Sequence, residues 1–227
     1  MAEEANGLEM LGRHAVRYVR SGMTIGLGTG RTASAFVRAL AECNHLIETL
    51  RCVPTSEATA HLARQLGLPL TTLDEVDEID LTVDGADEVD PHLNLIKGYG
   101  GALVREKVVA SASRQVLILA GAEKLVPQLG TRGRLPVEVI PFAVSFARRR
   151  IGALGYDAIL RTHGHAPFVS DGQNNILDCT IPPLEHPEEV EHALRAIPGV
   201  VGTGLFLGMA HRVLVWQDGH VEERVRG

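Results

Sequence analysis

The stretch Met23-Thr24-Ile25-Gly26-Leu27-Gly28-Thr29-Gly30-Arg31-Thr32-Ala33-Ser34-Ala35-Phe36-Val37 decides the architecture. Residues 23–27 form a short apolar run of the kind that makes a buried strand, and from Thr32 the pattern becomes helical. Between them, glycines 26, 28 and 30 alternate with Leu27 and Thr29, which is turn chemistry. A strand, a glycine turn and a helix in succession open a layered α/β unit. Upstream, Leu8, Leu11, Ala15, Val16 and Val19 recur at helical intervals, predicting a helix near 8–20 that Ser21-Gly22 stops. Downstream the unit recurs. A strand is expected at 50–53, a helix at 56–66 with Ser56 as N-cap and Gly67 closing it, and further strands at 79–83 and 116–120.

Strands alternating with helices predict an α/β fold: a mostly parallel, Rossmann-like sheet flanked by helices. From Pro136 the rhythm changes. Strand 137–140, helix 142–153, strands 157–160 and 175–181, helix 187–197 and strand 200–205 give the order β-α-β-β-α-β, that of a ferredoxin-like α+β unit. The expected organisation is a catalytic α/β domain over 1–131 and 207–227, to which 213–216 returns as a strand, and a smaller domain over 132–206. The small domain is expected to carry an oligomer contact, and 162–174 is read as a loop.

Composition narrows the function classes. The 227 residues include 28 acidic and 22 basic side chains, for a net charge of −6, and 45% are apolar. That supports a real core and argues against a nucleic-acid binder, which needs surplus cations to displace counterions from phosphate. Only Lys97, Lys107 and Lys124 are lysines. The amino terminus has no basic region followed by an apolar run, and no stretch approaches membrane-spanning length, so a cytoplasmic location without membrane contact is expected. Cys43, Cys52 and Cys179 have no paired spacing and read as core residues, while Cys179 as a nucleophile would need a base such as His163 or His165.

Three segments carry candidate chemistry. In Gly26–Arg31–Thr32, glycines allow close backbone approach, helix-start N–H groups point outward and threonines add donors, which suits a phosphate-sized anion. Arg31 stands where a dinucleotide fingerprint needs glycine, and the Walker A order is absent. Packing glycines alone would give the same pattern. The acidic tract 74–90 has nine carboxylates in seventeen positions. Asp84 follows a predicted strand end, where ligands of open α/β sheets bind, so Asp84 and Asp87 are site candidates. A calcium loop fails because Pro91 falls where a bidentate glutamate is required. The third segment, Lys97-Gly98-Tyr99-Gly100-Gly101 and the following helix, places Glu106 between Arg105 and Lys107. It reads either as a general base or as an ordinary charged helix face.

Together these segments resemble the ribose-5-phosphate isomerase type A family. The matching stretches are Gly28-Thr29-Gly30-x-Thr32-Ala33, Pro54-Thr55-Ser56, Asp84-Gly85-Ala86-Asp87-Glu88-Val89-Asp90, Lys97-Gly98-x-Gly100, Ala102-Leu103-x-Arg105-Glu106-Lys107 and Leu135-Pro136-Val137-Glu138-Val139-Ile140-Pro141. Later come Asn175-Ile176-Leu177-Asp178 and Ile197-Pro198-Gly199-Val200-Val201-x-Thr203-Gly204-Leu205-Phe206. The resemblance implies interconversion of D-ribose 5-phosphate and D-ribulose 5-phosphate in the pentose phosphate pathway, without metal or organic cofactor, by a homodimer or homotetramer. It implies Glu106 as the proton-transferring base, Asp84 and Asp87 as contacts of the substrate hydroxyls that assist ring opening, and Lys97 near the reacting oxygens. Thr29 to Thr32, including Gly30 and Arg31, match the phosphate-side loop and Lys124 a substrate-binding lysine, and Gly85, Ala86, Gly98, Tyr99 and Gly100 are expected to bind substrate from the adjoining turns.

This chain departs from the family pattern in three places. Arg31 replaces a usual serine and is expected to add charge at the phosphate. Tyr99 replaces a usual glycine, placing a ring inside the turn beside Lys97, where it is expected to narrow or reshape the site. A lysine that many members carry in the first helix is missing, and Leu8 lies near its place. Competing readings are a CoA transferase or sugar-phosphate deaminase built on a related fold, and a sugar-phosphate sensor without turnover. His163-Gly164-His165 lacks the third ligand of a catalytic zinc site.

Overall fold

The computed structural model describes residues 2–227. In chain order it contains α1 (Ala2–Val16), β1 (Thr24–Leu27), α2 (Arg31–Ala41), α3 (Asn44–Ile47), β2 (Arg51–Pro54), α4 (Glu57–Gln65), β3 (Ile79–Gly85), β4 (Glu88–Val89) and β5 (Leu95–Ile96). There follow α5 (Leu103–Ser111), β6 (Ser113–Gly121), β7 (Arg134–Val139), α6 (Val144–Ala153), β8 (Asp157–Leu160), β9 (Thr162–His163), β10 (Ala166–Pro167) and β11 (Asn175–Thr180). The chain ends with α7 (Pro187–Arg195), β12 (Val200–Thr203), β13 (Leu205–Phe206), β14 (Arg212–Gln217) and β15 (His220–Val225).

The main sheet has the order β15-β14-β6-β3-β1-β2. Its strands are parallel from β2 to β14, and β15 adds an antiparallel edge. All four residues of β1 are buried, as expected of a strand covered on both faces. Ile25, Leu27, Val83, Leu117, Leu119 and Leu214 of the sheet pack with Leu11, Ala15, Phe36 and Leu40 of α1 and α2 in one core. Strand order reverses beside β1: β2 lies on one side and β3 on the other. The crevice outside the carboxyl ends of β1 and β3 is therefore the switch point at which doubly wound sheets bind ligands.

A second sheet of four antiparallel strands, β12-β7-β11-β8, uses the chain between β6 and β14. The unit β7-α6-β8 is split by β11, and β11-α7-β12 is split by β7, which is the interleaving the β-α-β-β-α-β order predicts. Leu135, Val137, Leu177 and Cys179 of this sheet pack with Ala147, Ile151 and Leu194 of the two helices.

Several element boundaries differ from the sequence reading. The first helix ends at Val16 and passes through successive tight turns at Arg17, Tyr18 and Val19, although Val19 keeps its buried position. Part of the segment read as a loop is the β9–β10 hairpin, which leaves His163 exposed. Ser56 caps α4 as expected, accepting from the Thr59 N–H at 3.1 Å. Cys52 and Cys179 are buried, and burial pushes both thiols up to about 12, which removes Cys179 as a nucleophile. No helix among the described residues is long and apolar enough to cross a membrane.

Candidate active site

The site begins with a helix that places a carboxylate where an apolar residue belongs. On α5, Leu103, Glu106, Val109 and Ala110 are buried on one face, at the three- and four-residue spacing of a core stripe. The neighbours Arg105 and Lys107 leave that face. Arg105 pairs with Glu57 at 2.9 Å near the surface, and Lys107 pairs with Glu191 at 3.1 Å. Glu106 alone is driven inward and is 4% exposed.

Its partner is Lys97, 3% exposed, whose Nζ lies 3.3 Å from Glu106 Oε1 and 3.1 Å from Asp84 Oδ2. Nζ also donates to the Gly85 carbonyl at 2.6 Å, so all three ammonium hydrogens have an acceptor within reach. The lysine sits 5.5 Å from the centre of the Phe206 ring, which closes the inner side. Burial disfavours its charge, but Asp84 and Glu106 outweigh that penalty and hold the ammonium above the usual lysine range.

The second Glu106 oxygen, Oε2, is buried without a hydrogen-bond partner among the described residues. Burial first, and then the nearby Asp84 charge, push the Glu106 carboxyl up to about 8 against the opposing pull of Lys97. A buried carboxylate with one oxygen engaged by a cation and the other unengaged is poised to exchange a proton near neutral pH.

These groups border a cavity of about 780 Å³ at the switch point. Thr29, Gly30, Arg31, Thr32, Gly85, Ala86, Asp87, Lys97, Gly98, Gly100, Glu106 and Lys124 all contribute to its wall. At one end lies the start of α2. Gly30 precedes it with φ +100°, a conformation suited to glycine, and the first turn has neither a side-chain cap nor an acidic residue. The outward N–H groups there form a neutral-donor cradle for an anion. Lys97, Glu106 and Asp87 line the same cavity, with the Asp84 carboxylate bridging Lys97 to the Thr29 N–H.

Three expected side-chain contacts are turned away from the cavity. Asp84 is behind the wall rather than on it. Its Oδ1 accepts from the Thr29 N–H at 3.1 Å and the Gly85 N–H at 2.7 Å, and its Oδ2 holds Lys97. Gly28 lies against this carboxylate, and any Cβ there would collide with it. Tyr99 does not narrow the site, because its ring turns toward the second sheet and stacks on Arg134 at 4.7 Å. Its hydroxyl, pushed up to about 12 by burial and by Glu88, donates to the Arg134 carbonyl at 3.2 Å. What the site receives from Tyr99 is its backbone N–H, which donates to Asp87 Oδ2 at 2.9 Å. Thr29 is also turned. Its hydroxyl joins Thr55 at 2.7 Å and Ser56 at 2.8 Å in an inward cluster.

The sequence reading missed part of the wall, made by Glu123 after β6 and by Trp216, Gln217 and Asp218 at the end of β14. Trp216 packs over Gly7 of α1, where a Cβ would strike the indole, and against the main core. Leu8, which stands near the place of the missing lysine, contributes to the cavity wall.

A doubly wound sheet with a ligand cavity at its switch point and a buried carboxylate–ammonium centre against that cavity defines an α/β enzyme of the acid–base class. Residues 51–219 match the family model described as ribose 5-phosphate isomerase A (phosphoriboisomerase A). Among curated relatives, the ribose-5-phosphate isomerase A of Roseiflexus castenholzii is 52% identical over 212 residues, covering 92% of this chain and 91% of the relative. That of Bacillus mycoides is 42% identical, with 95% and 97% covered. The solved ribose 5-phosphate isomerase A of Methanocaldococcus jannaschii aligns with TM-score 0.92 at 37% identity, covering 97% of this chain and 98% of that one. A D-ribose-5-phosphate isomerase solved in complex with phospho-erythronic acid gives TM-score 0.93 at 36% identity, over the same shares. The chain belongs to the ribose 5-phosphate isomerase A family.

Proposed function

We propose that this protein interconverts D-ribose 5-phosphate and D-ribulose 5-phosphate, the non-oxidative pentose phosphate reaction its relatives are named for. Glu106 serves as the single base that carries the proton between C2 and C1. The observation that carries this is the unpartnered Glu106 Oε2, buried against the cavity beside Lys97. Removing the C2 proton of the open-chain aldose gives a planar enediolate, and one carboxylate placed on one face can take the proton and return it to C1. The charge that develops on the reacting oxygens is met by Lys97, whose ammonium is already oriented by Asp84 and the Gly85 carbonyl.

Asp87, held by the Tyr99 N–H and facing the cavity, assists ring opening by exchanging a proton with the sugar hydroxyl. Asp84 acts one layer back, by keeping Lys97 charged and aimed. The phosphate occupies the end built from Gly30, Arg31 and Thr32 at the start of α2, with Lys124 and the Arg31 guanidinium supplying charge where a first-helix lysine is missing. Binding energy from that end positions C1 and C2 against Glu106.

The reaction needs only these side chains, so no metal or organic cofactor is assigned to it. We further assign 1–131 and 207–227 to a catalytic domain and 132–206 to a small domain. Phe142, Phe146 and Ile159 on that small domain are exposed apolar residues suited to a homodimer or homotetramer contact. A cytoplasmic location fits the reading.

The test is a coupled assay on wild type and Glu106→Gln, which keeps shape and removes the base. Wild type forms ribulose 5-phosphate from ribose 5-phosphate without CoA or ammonia release, and the variant loses about 10²- to 10⁴-fold in turnover. Full turnover by the variant would reject the assigned base.

A further inference from the structure

The Lys97–Gly101 turn holds both Lys97 and the N–H that fixes Asp87; its Gly101 N–H closes on the Gly98 carbonyl at 3.0 Å, yet among the described residues no side chain of the main sheet donates to its carbonyls. That support comes from Arg161, which directly follows β8 in the second sheet. The side chain of Arg161 is 9% exposed. Its Nη1 donates to the Gly98 carbonyl at 3.0 Å and to the Tyr99 carbonyl at 3.1 Å. Its other edge makes a two-pronged pair with Asp178 of β11: Nε to Oδ2 at 2.9 Å and Nη2 to Oδ1 at 2.6 Å. The guanidinium therefore has two donor edges committed at once, one to the scaffold and one to the turn.

The consequence runs through single peptide planes. The Gly98–Tyr99 peptide presents its carbonyl to Arg161 and its N–H to Asp87 Oδ2, so rotating that plane moves both together. The next plane has its Tyr99 carbonyl on Arg161. In a trans peptide its Gly100 N–H points the opposite way, and Gly100 borders the cavity. Gly98 and Gly101 both have φ near +90 to +100°, so the turn's shape depends on glycine conformations that its own side chains cannot enforce. Phe168, under the Arg161 guanidinium at 5.7 Å, lies against Gly101 and blocks collapse from below.

The anchor is itself well held. Burial raises the Asp178 carboxyl, but hydrogen bonds and charge from Arg161 and Arg134 prevail and keep it below the ordinary carboxylate range. Arg134 Nη2 reaches Asp178 Oδ2 at 2.7 Å.

We propose that Arg161 is a positioning residue for the isomerisation: by clamping the Gly98 and Tyr99 carbonyls it sets Asp87 and the Lys97 turn, and it makes the second sheet a working part of the active site. The inference rests on the functional reading above, with substrate hydroxyls at the turn and phosphate at α2.

The test compares wild type, Arg161→Ala and Arg161→Lys with D-ribose 5-phosphate, measuring kcat, KM and the melting temperature of each. The lysine variant keeps a cation near Asp178 but cannot span both carbonyls. Expected is a kcat loss of about 10- to 100-fold in both variants, the scale of a small misplacement of reacting groups. KM stays within about threefold, because the phosphate end is untouched. Millimolar ethylguanidinium restores part of the kcat of Arg161→Ala but none of that of Glu106→Gln. Wild-type kcat in a folded Arg161→Lys, or losses that only track the unfolded fraction of each variant, overturns the proposal. Absence of turnover in wild type would instead overturn the assigned reaction, so the two failures are distinguishable.

Discussion

Two charged triads face each other across the Lys97–Gly101 turn, and they are built in opposite senses. In one, a lysine lies between two carboxylates, Asp84 and Glu106. In the other, a carboxylate, Asp178, lies between two guanidiniums, Arg134 and Arg161. With every group ionised the first carries one excess negative charge and the second one excess positive charge. The excess is absorbed differently. In the Asp178 triad both carboxylate oxygens are engaged and Arg134 stacks on Tyr99, and what is left over is a donor, the buried Arg134 Nε, which has no partner among the described residues. In the Lys97 triad one carboxylate oxygen is left unengaged, and the surplus charge appears as a carboxyl that holds its proton up to about 8. A triad with a spare acceptor can move a proton, whereas one whose acceptors are filled can only hold geometry.

This contrast can be broken experimentally. The largest effect beyond loss of the base itself is expected in the pH profile. If Glu106 must be ionised to act, kcat/KM for ribose 5-phosphate rises about tenfold per pH unit below about 7.5 and levels off past 8, since Lys97 stays charged throughout. A profile flat from pH 6 to 9 would remove the spare-acceptor argument.

A smaller effect, and one that needs no substrate, concerns stability. The Glu106 carboxyl titrates near 4.5 when unfolded and near 8 in the fold. Between those values the native state keeps a proton that the unfolded chain has released, so this group's contribution to stability falls as pH rises. Glu106→Gln has no such slope. Its melting temperature should exceed that of wild type, by more at pH 8 than at pH 5, in parallel thermal melts. A constant difference across that range would show that the carboxyl is not raised.

The smallest effect sharpens the comparison by contrast with the surface. Arg105 is next to Glu106 in sequence but pairs with Glu57 in the open. Arg105→Ala should change unfolding free energy by no more than about 0.5–1 kcal/mol and leave kcat within twofold, as measured by denaturant titration and assay.

Much of this arrangement was legible in the residues, because the signals were local. The glycine turn after β1, the Ser56 cap and the β-α-β-β-α-β order each depend on near neighbours in the chain. The position of Glu106 carried a stronger signal than its flanking charges suggested: a carboxylate between Leu103 and Ala110 at stripe spacing breaks the core pattern of its helix. Tyr99 was misjudged because its direction is set by Arg134, which arrives from a strand 35 residues later. Trp216, Gln217 and Asp218 were missed for a similar reason. They enter the site only because β14 docks beside β6, and strand order in a parallel sheet is not written in the strands themselves.

The docking of β14 has a kinetic consequence. Arg212 pairs with Leu117, and the entire second sheet lies in the chain between them. Parallel pairing over so long a separation is entropically late. As the chain leaves a ribosome, Asp84, Lys97 and Glu106 emerge first, and the strand that completes the wall of their cavity emerges only after the whole second sheet. The reactive groups are thus synthesised early and enclosed late, and a chain stalled before β14 holds them without the chamber that would let them act.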